Sequence, residues 1–370
     1  MSFFRSIDLF LLIPMMLLLS TSILVLFSVA PHLLPMQIAA SFLSLLCFLI
    51  ISRLDAHVFL RFAPYLYLGA VILLAITLFW GFESRGSIRW IPIGPYRFQT
   101  SEFAKPVFII AFSTFLLRFP PRTIRHVLVH VGLLLPPFLL TARQPDLGSA
   151  MVILAVWGLL LFLGRLRWQY AAIGILLLAP LLPFSWNALH DYQQTRILTY
   201  LNPYRDPLGA GYSALQSQIA VGSGGFFGRG LGKGIQSHLQ FLPEHATDFV
   251  FASFAEEFGF VGVLGLLFLY GWLLARLIRL SFSSHEWVGM LVVSGVAGLF
   301  FAQMSIHIGM NMGLLPITGI TLPFLSYGGS SVVSFGISLG LASSVSRFSQ
   351  GKRQTINNFS PLENLNDEDT

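Results

Sequence analysis

The sequence predicts an all-α polytopic membrane protein, and three observations carry that reading. Hydrophobic residues make up 55% of the 370 and charged residues only 10%, against about a quarter charged in a soluble domain. Mean hydropathy is +0.75. The apolar residues also fall in runs of bilayer length, since about 20 helical residues cross the hydrocarbon. The single cysteine, Cys47, lies in an apolar run, which excludes an internal disulfide and a cysteine-based metal cluster. The net charge of +6 is no nucleic-acid footprint, because the basic residues sit in the gaps between apolar runs.

Taken in order, about ten transmembrane helices are expected: 9–29, 34–52, 62–80, 104–118, 127–142, 148–164, 170–186, 249–275, 287–309 and 328–346. The first is too long for a signal-peptide core and lacks a small-residue cleavage site after it, so it reads as retained. The fourth to seventh are short or hold prolines such as Pro136, Pro137 and Pro180, and kinked or partly re-entrant helices are expected there. Between the seventh and eighth runs one large extracytoplasmic loop covers about 187–247. A gap of that length is usually functional. Within it, 214–221 suits a short amphipathic helix lying on the bilayer. A second wet loop, 81–101, holds Trp90 and Arg97. No strands are expected. Residues 1–350 form one membrane domain, and 351–370 read as a disordered cytoplasmic tail.

Charge sets the orientation. Of the 22 basic residues, thirteen fall in one set of gaps and nine in the other, four of those nine in the long loop. Short connections decide topology, so both termini should be cytoplasmic. The acids are skewed the other way. Outside the tail, nine of twelve lie on or near the outer side: Glu83, Glu102, Asp146, Asp191, Asp206, Glu244, Asp248, Glu256 and Glu257. Mixed charge gathered at one face of a bundle reads as a site, facing outward.

Several catalytic classes fail on spacing. A phosphate loop ending at Lys233 needs glycine at 227 and Ser or Thr at 234, and the chain has Phe227 and Gly234. The glycine cluster 222–234 instead reads as a loop whose amides can cradle an anion. His285-Glu286 has Gly289 where a zinc helix needs histidine. An ATPase and a zinc protease of the usual type are thereby excluded, and no nucleotide cofactor is expected.

What remains are acids at helix ends. Phe241-Leu-Pro-Glu244-His-Ala-Thr247-Asp248 leads into the eighth run, with Glu256 and Glu257 about 12–14 Å deeper at ~1.5 Å per residue. Carboxylates are costly in lipid and mark function by default, although Asp248 also suits a helix N-cap and Glu256 and Glu257 an internal ion pair. Asp248, Ala252 and Ala255 share one helical face, and small residues below the acid leave room for a groove or a packed neighbour. Glu102 and Lys105, three apart, are helix neighbours. Gln144-Pro-Asp146 opens the sixth run, where ordinary helix-dipole compensation is the competing reading. Asn311 to Ser331 holds two prolines and several glycines, hence non-helical backbone that needs protein or a cavity around it.

Seven ordered motifs carry a resemblance: Arg97-Phe-Gln-Thr-Ser-Glu102-Phe-Ala-Lys105, Gln144-Pro-Asp146-Leu-Gly148, His190-Asp-Tyr-Gln-Gln-Thr-Arg196, Asp206-Pro-Leu-Gly-Ala-Gly-Tyr212, Gln216-Ser217-Gln-Ile-Ala-Val-Gly-Ser-Gly-Gly225, Phe241 to Phe249, and Leu322-Pro-Phe-Leu-Ser326-Tyr327-Gly-Gly329. With them the chain, up to about Phe348, resembles the SEDS family (shape, elongation, division and sporulation), most closely its elongation branch. Thr100 departs from the proline common there. The resemblance implies a ten-span peptidoglycan glycosyltransferase of the cytoplasmic (inner) membrane. It would polymerise lipid II, an undecaprenyl diphosphate-linked substrate, on the outer face, and release undecaprenyl diphosphate. It also implies a class B penicillin-binding protein as transpeptidase partner, among other elongation-complex membrane proteins. Asp248 matches the family acid and is expected to act as general base. Arg196, Lys105 or loop cations would offset diphosphate charge, and a divalent cation (Mg2+ or Mn2+) can share that role. Glu102 is expected to orient Lys105 and Asp146 to shape the groove. Trp90, Gln144, Gln216, Ser217, Glu244, Thr247, Ser326 and Tyr327 complete the expected substrate-binding set. The rival readings are a division-branch polymerase, a lipid II flippase and a scaffold that only recruits a transpeptidase.

Overall fold

The computed structural model describes residues 7–84, 87–94, 96–178, 191–209 and 211–358. Fourteen helices and one small sheet appear among them: α1 (Leu9–Val29), α2 (Leu34–Ile51), α3 (Ala56–Arg61), α4 (Ala63–Trp80), β1 (Phe82–Ser84), β2 (Ser87–Ile93), β3 (Tyr96–Gln99), α5 (Thr100–Arg118), α6 (Ile124–Arg143), α7 (Leu147–Leu163), α8 (Trp168–Leu178), α9 (Asp191–Leu201), α10 (Tyr212–Ser223), α11 (Ile235–His238), α12 (Val250–Ser283), α13 (Trp287–Asn311) and α14 (Gly329–Asn358). Eight helices are long and apolar enough to cross a membrane, and α7 is a shorter apolar helix. The expected seventh span begins as α8, and its residues from 179 on lie outside the described ones. The chain is a multi-pass membrane protein, and the expectation of an all-α membrane fold holds.

Three expectations need correction. The wet loop 81–101 is a three-stranded antiparallel sheet in the order β1-β2-β3, with Trp90 opposite Gln99 and Ile91 opposite Phe98. The alternation Ile88, Trp90 and Ile91, Ile93 is too short to stand out, and a hairpin of this size holds only when packed on other structure. Here Gln99 N donates to Ser330 Oγ at 3.0 Å, and Ser330 Oγ donates to Arg97 O at 3.2 Å, fixing β3 to the start of α14. The long loop also holds three helices (α9, α10 and α11), and its expected 214–221 helix is found as α10. Finally, α14 runs to Asn358, eight residues into the stretch expected to be disordered.

The prolines of α6 lie inside a continuous helix. The break comes instead in α12, where Gly259 takes φ 63°, ψ −164°, a conformation open to glycine alone. A kink frees backbone groups that lipid cannot satisfy. The glycine loop after α10 supplies them: Arg229 N and Gly230 N donate to the carbonyls of Glu256 and Glu257, and Phe260 N and Val261 N donate to those of Gly225 and Phe226.

Glu256 and Glu257 complete this joint. Both are fully buried. Glu256 accepts from Gln236 N at 2.9 Å, Ser237 N at 3.3 Å and Ser237 Oγ at 3.0 Å. Glu257 accepts from Gly232 N at 3.1 Å and from Ser28 Oγ, and meets His238 Nε2 at 3.0 Å. They clamp the loop: of the internal ion pairing expected for them, His238 on α11 supplies a partner to Glu257, while Glu256 is held by hydrogen bonds from Gln236 and Ser237. In the core, α14 lies against α2 closely enough that a Cβ at Gly336 would strike the backbone of Ser44, whose hydroxyl donates to Val332 O at 2.6 Å. Small residues permit such approach where apolar burial alone gives no drive.

Candidate active site

Every expected site residue lies at one end of the bundle, the end where α1, α4, α6 and α13 finish and α5, α7, α12 and α14 begin. The opposite end carries Arg276 paired with Asp8 at 2.7 Å, and Arg165 against the Trp287 ring at 4.8 Å.

Asp248 is not a helix residue. It ends a turn in which Thr247 N and Phe249 N both donate to Glu244 O, while Thr247 Oγ1 donates to Glu244 Oε2 at 3.0 Å. Glu244 adopts φ 52° to make this turn, an uncommon conformation for a residue with a Cβ. The helix begins at Val250, so Asp248 does not share a helical face with Ala252 and Ala255, and of the groove or packed neighbour expected beside those small residues the structure has the packed neighbour. Ala252 and Ala255 are buried, and the end of α10 packs on them: a Cβ at Gly224 would strike Ala255 O. Asp248 itself is half-buried.

The segment after α13 grips this turn from the other side. Ser326 Oγ donates to Thr247 O at 2.8 Å, and Tyr327 N donates to Ala246 O at 2.9 Å. Gly319 (φ 71°) lies under the acid, so that a Cβ there would come 3.4 Å from Asp248 Oδ2. Arg97, exposed on β3, faces Tyr327, whose phenol is pushed up by burial against the opposing pull of that cation.

A polar stripe on α13, four residues apart at each step, organises the rest. Asn311 Nδ2 donates to Asp248 O at 3.0 Å, and its Oδ1 accepts from Ala252 N at 3.1 Å. His307 Nδ1 lies 2.8 Å from Ile320 O. Gln303 Nε2 donates to Thr321 O at 3.4 Å, and its Oε1 accepts from Lys105 Nζ at 3.3 Å. All three are fully buried. The sequence reading passed over Gln303 and His307. Three polar residues at i, i+4 and i+8 in an apolar helix were the available signal.

Lys105 pairs with Glu102 at 2.6 Å, both buried, the helix-neighbour contact expected from their spacing. Closed in this way, Lys105 braces Gln303, which in turn holds the loop at Thr321. Asp146 is buried at the N-cap of α7, accepting from Ser149 N at 3.2 Å, Ser101 Oγ at 2.9 Å and Gln99 Nε2 at 3.2 Å, with Arg89 Nη1 at 3.8 Å. Burial alone would raise its carboxyl. Arg89 and Lys105, with the bonds from Ser101 and Ser149, outweigh burial and hold it below the usual carboxylate range. Gln144 Nε2 donates to Leu74 O at 2.7 Å.

The remaining expected residues are more dispersed. Ser217 is buried and donates to Asn311 O at 2.8 Å, so α10 joins the same network. Gln216 lines an apolar surface groove of about 450 Å³ with Tyr204, Leu208 and Tyr212, and no recorded contact links it to Asp248. Trp90 is half-buried on β2. Arg196 is half-buried on α9, whose Tyr200 donates to Leu314 O at 3.0 Å. Among the described residues no group of three or more His, Cys, Asp or Glu is arranged to hold a metal ion.

Three comparisons agree. Residues 1–351 match the FtsW/RodA/SpoVE family model, described as cell cycle protein. The chain is 38% identical to the peptidoglycan glycosyltransferase MrdB of Escherichia coli (strain K12), over 82% of each chain. It is also 38% identical to stage V sporulation protein E of Bacillus subtilis, over 73% of this chain and 74% of that one. Among solved structures, a chain of a peptidoglycan synthase complex that coordinates polymerization and crosslinking superposes at TM-score 0.83 with 35% identity, covering 92% of this chain and 98% of that one. The Thermus thermophilus rod shape determining protein RodA superposes at 0.71 with 32% identity, covering 92% and 97%.

Proposed function

From the premise that this chain belongs to the FtsW/RodA/SpoVE family of cell cycle proteins, we propose Asp248 as the general base of its glycosyl transfer. The chain is a peptidoglycan glycosyltransferase. Lipid II is its substrate, on the outer face of the cytoplasmic membrane, during cell elongation. The acceptor's 4-hydroxyl gives its proton to the Asp248 carboxylate as its oxygen bonds to the donor's anomeric carbon. The bond from that carbon to the diphosphate breaks with inversion, and undecaprenyl diphosphate leaves. A base needs to reach its proton within about 3 Å, and a half-buried carboxylate at a turn outside the helix is open to an approaching sugar.

The observation that carries this reading is depth. Helix α1 runs from Asp8, paired with Arg276, to Ser28, beside Glu257. Twenty residues at ~1.5 Å give about 30 Å, the thickness of the hydrocarbon core. Asn311 lies at the far end of α13 from Trp287, a rise of about 36 Å, more than the thickness of the hydrocarbon core. That length supports a headgroup-level position for Asp248 and Ala252, both bonded to Asn311. That is where the diphosphate and first sugars of a lipid-linked donor reside. Exposed Arg97 and half-buried Arg196 are the cations suited to the leaving diphosphate. Glu102, Lys105, Gln303, His307 and Asn311 act by positioning. Among the described residues no group of three or more His, Cys, Asp or Glu stands ready to hold an ion without substrate; a divalent ion here would rest on one or two carboxylates and the substrate's phosphates. The transpeptidase is supplied by a class B penicillin-binding protein bound to this chain.

Asp248→Asn should abolish strand formation from purified lipid II, assayed with the partner made transpeptidase-dead, while leaving the melting temperature intact. Strands from a folded Asp248→Asn protein would remove the base assignment.

A further inference from the structure

We propose that the glycine loop 224–233 is an interfacial anchor, its aromatic tip in the acyl chains of the outer leaflet and its two cations on phospholipid phosphates. The tip is apolar and uncovered: Phe226 is 60% and Phe227 79% exposed. Their rings lie 5.1 Å apart, and Phe226 lies 5.6 Å from Phe260 of α12. Phe260 heads an exposed apolar stripe continued by Leu264, Leu267 and Phe268. That stripe has the 3.6-residue period of a lipid-facing helix surface, so the loop tip extends a lipid-facing surface at its outer end.

The depth is fixed independently. Gly232 N and Ser28 Oγ both bond to Glu257, so the loop sits level with the outer end of α1, about 30 Å from Asp8. Phe side chains of an interfacial segment bury about 5–10 Å into the boundary of headgroups and acyl chains at that level. The two cations are exposed there. Arg229 is held by Nε bonds to Ser223 O at 3.3 Å and Ser223 Oγ at 3.2 Å. Neither Arg229 nor Lys233 has a carboxylate within ion-pair distance among the described residues. Cations beside an apolar tip fit anionic headgroups.

The loop is not free to choose its depth, because its backbone completes the break at Gly259. A bilayer-held tip therefore fixes the height of the segment that enters Asp248. The proposal concerns lipid contact and stands whether or not Asp248 is the base.

The test is depth measurement by spin label in nanodiscs. With Cys47→Ser as background, labels are placed at Phe227→Cys, at Leu264→Cys as the lipid reference and at Asn202→Cys as the aqueous reference. The expected result is an oxygen-to-nickel-chelate collision ratio at 227 shifted to that of 264. Arg229→Gln with Lys233→Gln should raise nickel access at 227 in phosphatidylglycerol discs and leave it unchanged in phosphatidylcholine discs. A ratio at 227 equal to that at 202 overturns the proposal. So does shielding from both reagents, which would mean that another protein covers the tip. An equal effect of the double substitution in both lipids overturns the role of the cations.

Discussion

At the scale of single residues, the side chains that matter most to the site hold backbone. Asn311 satisfies Asp248 O and Ala252 N at once, so Asn311→Leu leaves the buried Ala252 N without a partner, at about 1–3 kcal/mol, and releases the part-buried Asp248 O at a smaller cost. Polymerisation should fall at least tenfold in kcat with a smaller change in KM, because the base shifts while the surface that meets the substrate stays. A matched loss in KM would argue against positioning. Lys105→Met strands the buried Glu102 carboxylate. It should cost roughly 3–5 kcal/mol, read as a large drop in melting temperature, and adding Glu102→Gln should recover part of it. Asp146 makes a pH prediction. Its carboxyl is held below the usual 3.8, so its charge stabilises the fold at neutral pH and that contribution drains away as pH falls below the ordinary value towards the folded one. Melting curves between pH 7 and 3 should decline more steeply for wild type than for Asp146→Asn. The Glu102–Lys105 pair was legible from spacing alone, since helix geometry puts residues three apart together. The Asn311–Asp248 link was not, because 63 residues separate its ends.

At the scale of elements, two glycines decide which segments can meet. Gly259 ends the straight run of α12 and exposes the groups that bind the glycine loop. Gly259→Ala would meet both an unfavourable backbone conformation and the backbone of Gly228. We expect a loss of several kcal/mol, and faster amide exchange in 225–230 than in the rest of the bundle. Gly336→Val would part α14 from α2. Unlike Gly259→Ala, it should destabilise the bundle without selectively loosening that loop. The spans were readable because lipid imposes a single demand, about 20 apolar residues in a row. The β1-β2-β3 sheet was not, because its short strands are held by Ser330 on α14, a partner more than 200 residues away in sequence.

At the scale of the whole molecule, the two ends of the bundle do different work. One end closes with Asp8–Arg276 and Arg165–Trp287. The other stacks the sheet, the loop helices and the segment after α13 around a single turn. The sequence alone determined the membrane class, the position of most spans, the charge asymmetry and the gathering of acids at one end. Each of those follows from a local property: hydropathy, charge, or residues within a helical turn. Tertiary structure decided the rest. It closed Lys105 inside the bundle, made Glu256 and Glu257 loop clamps, and set Asp248 in a turn above α12. It also filled the space beside Ala252 with α10. Those outcomes depend on which distant segments supply hydrogen bonds to groups that neither lipid nor the local helix can satisfy, and periodicity along one segment carries no record of its partner.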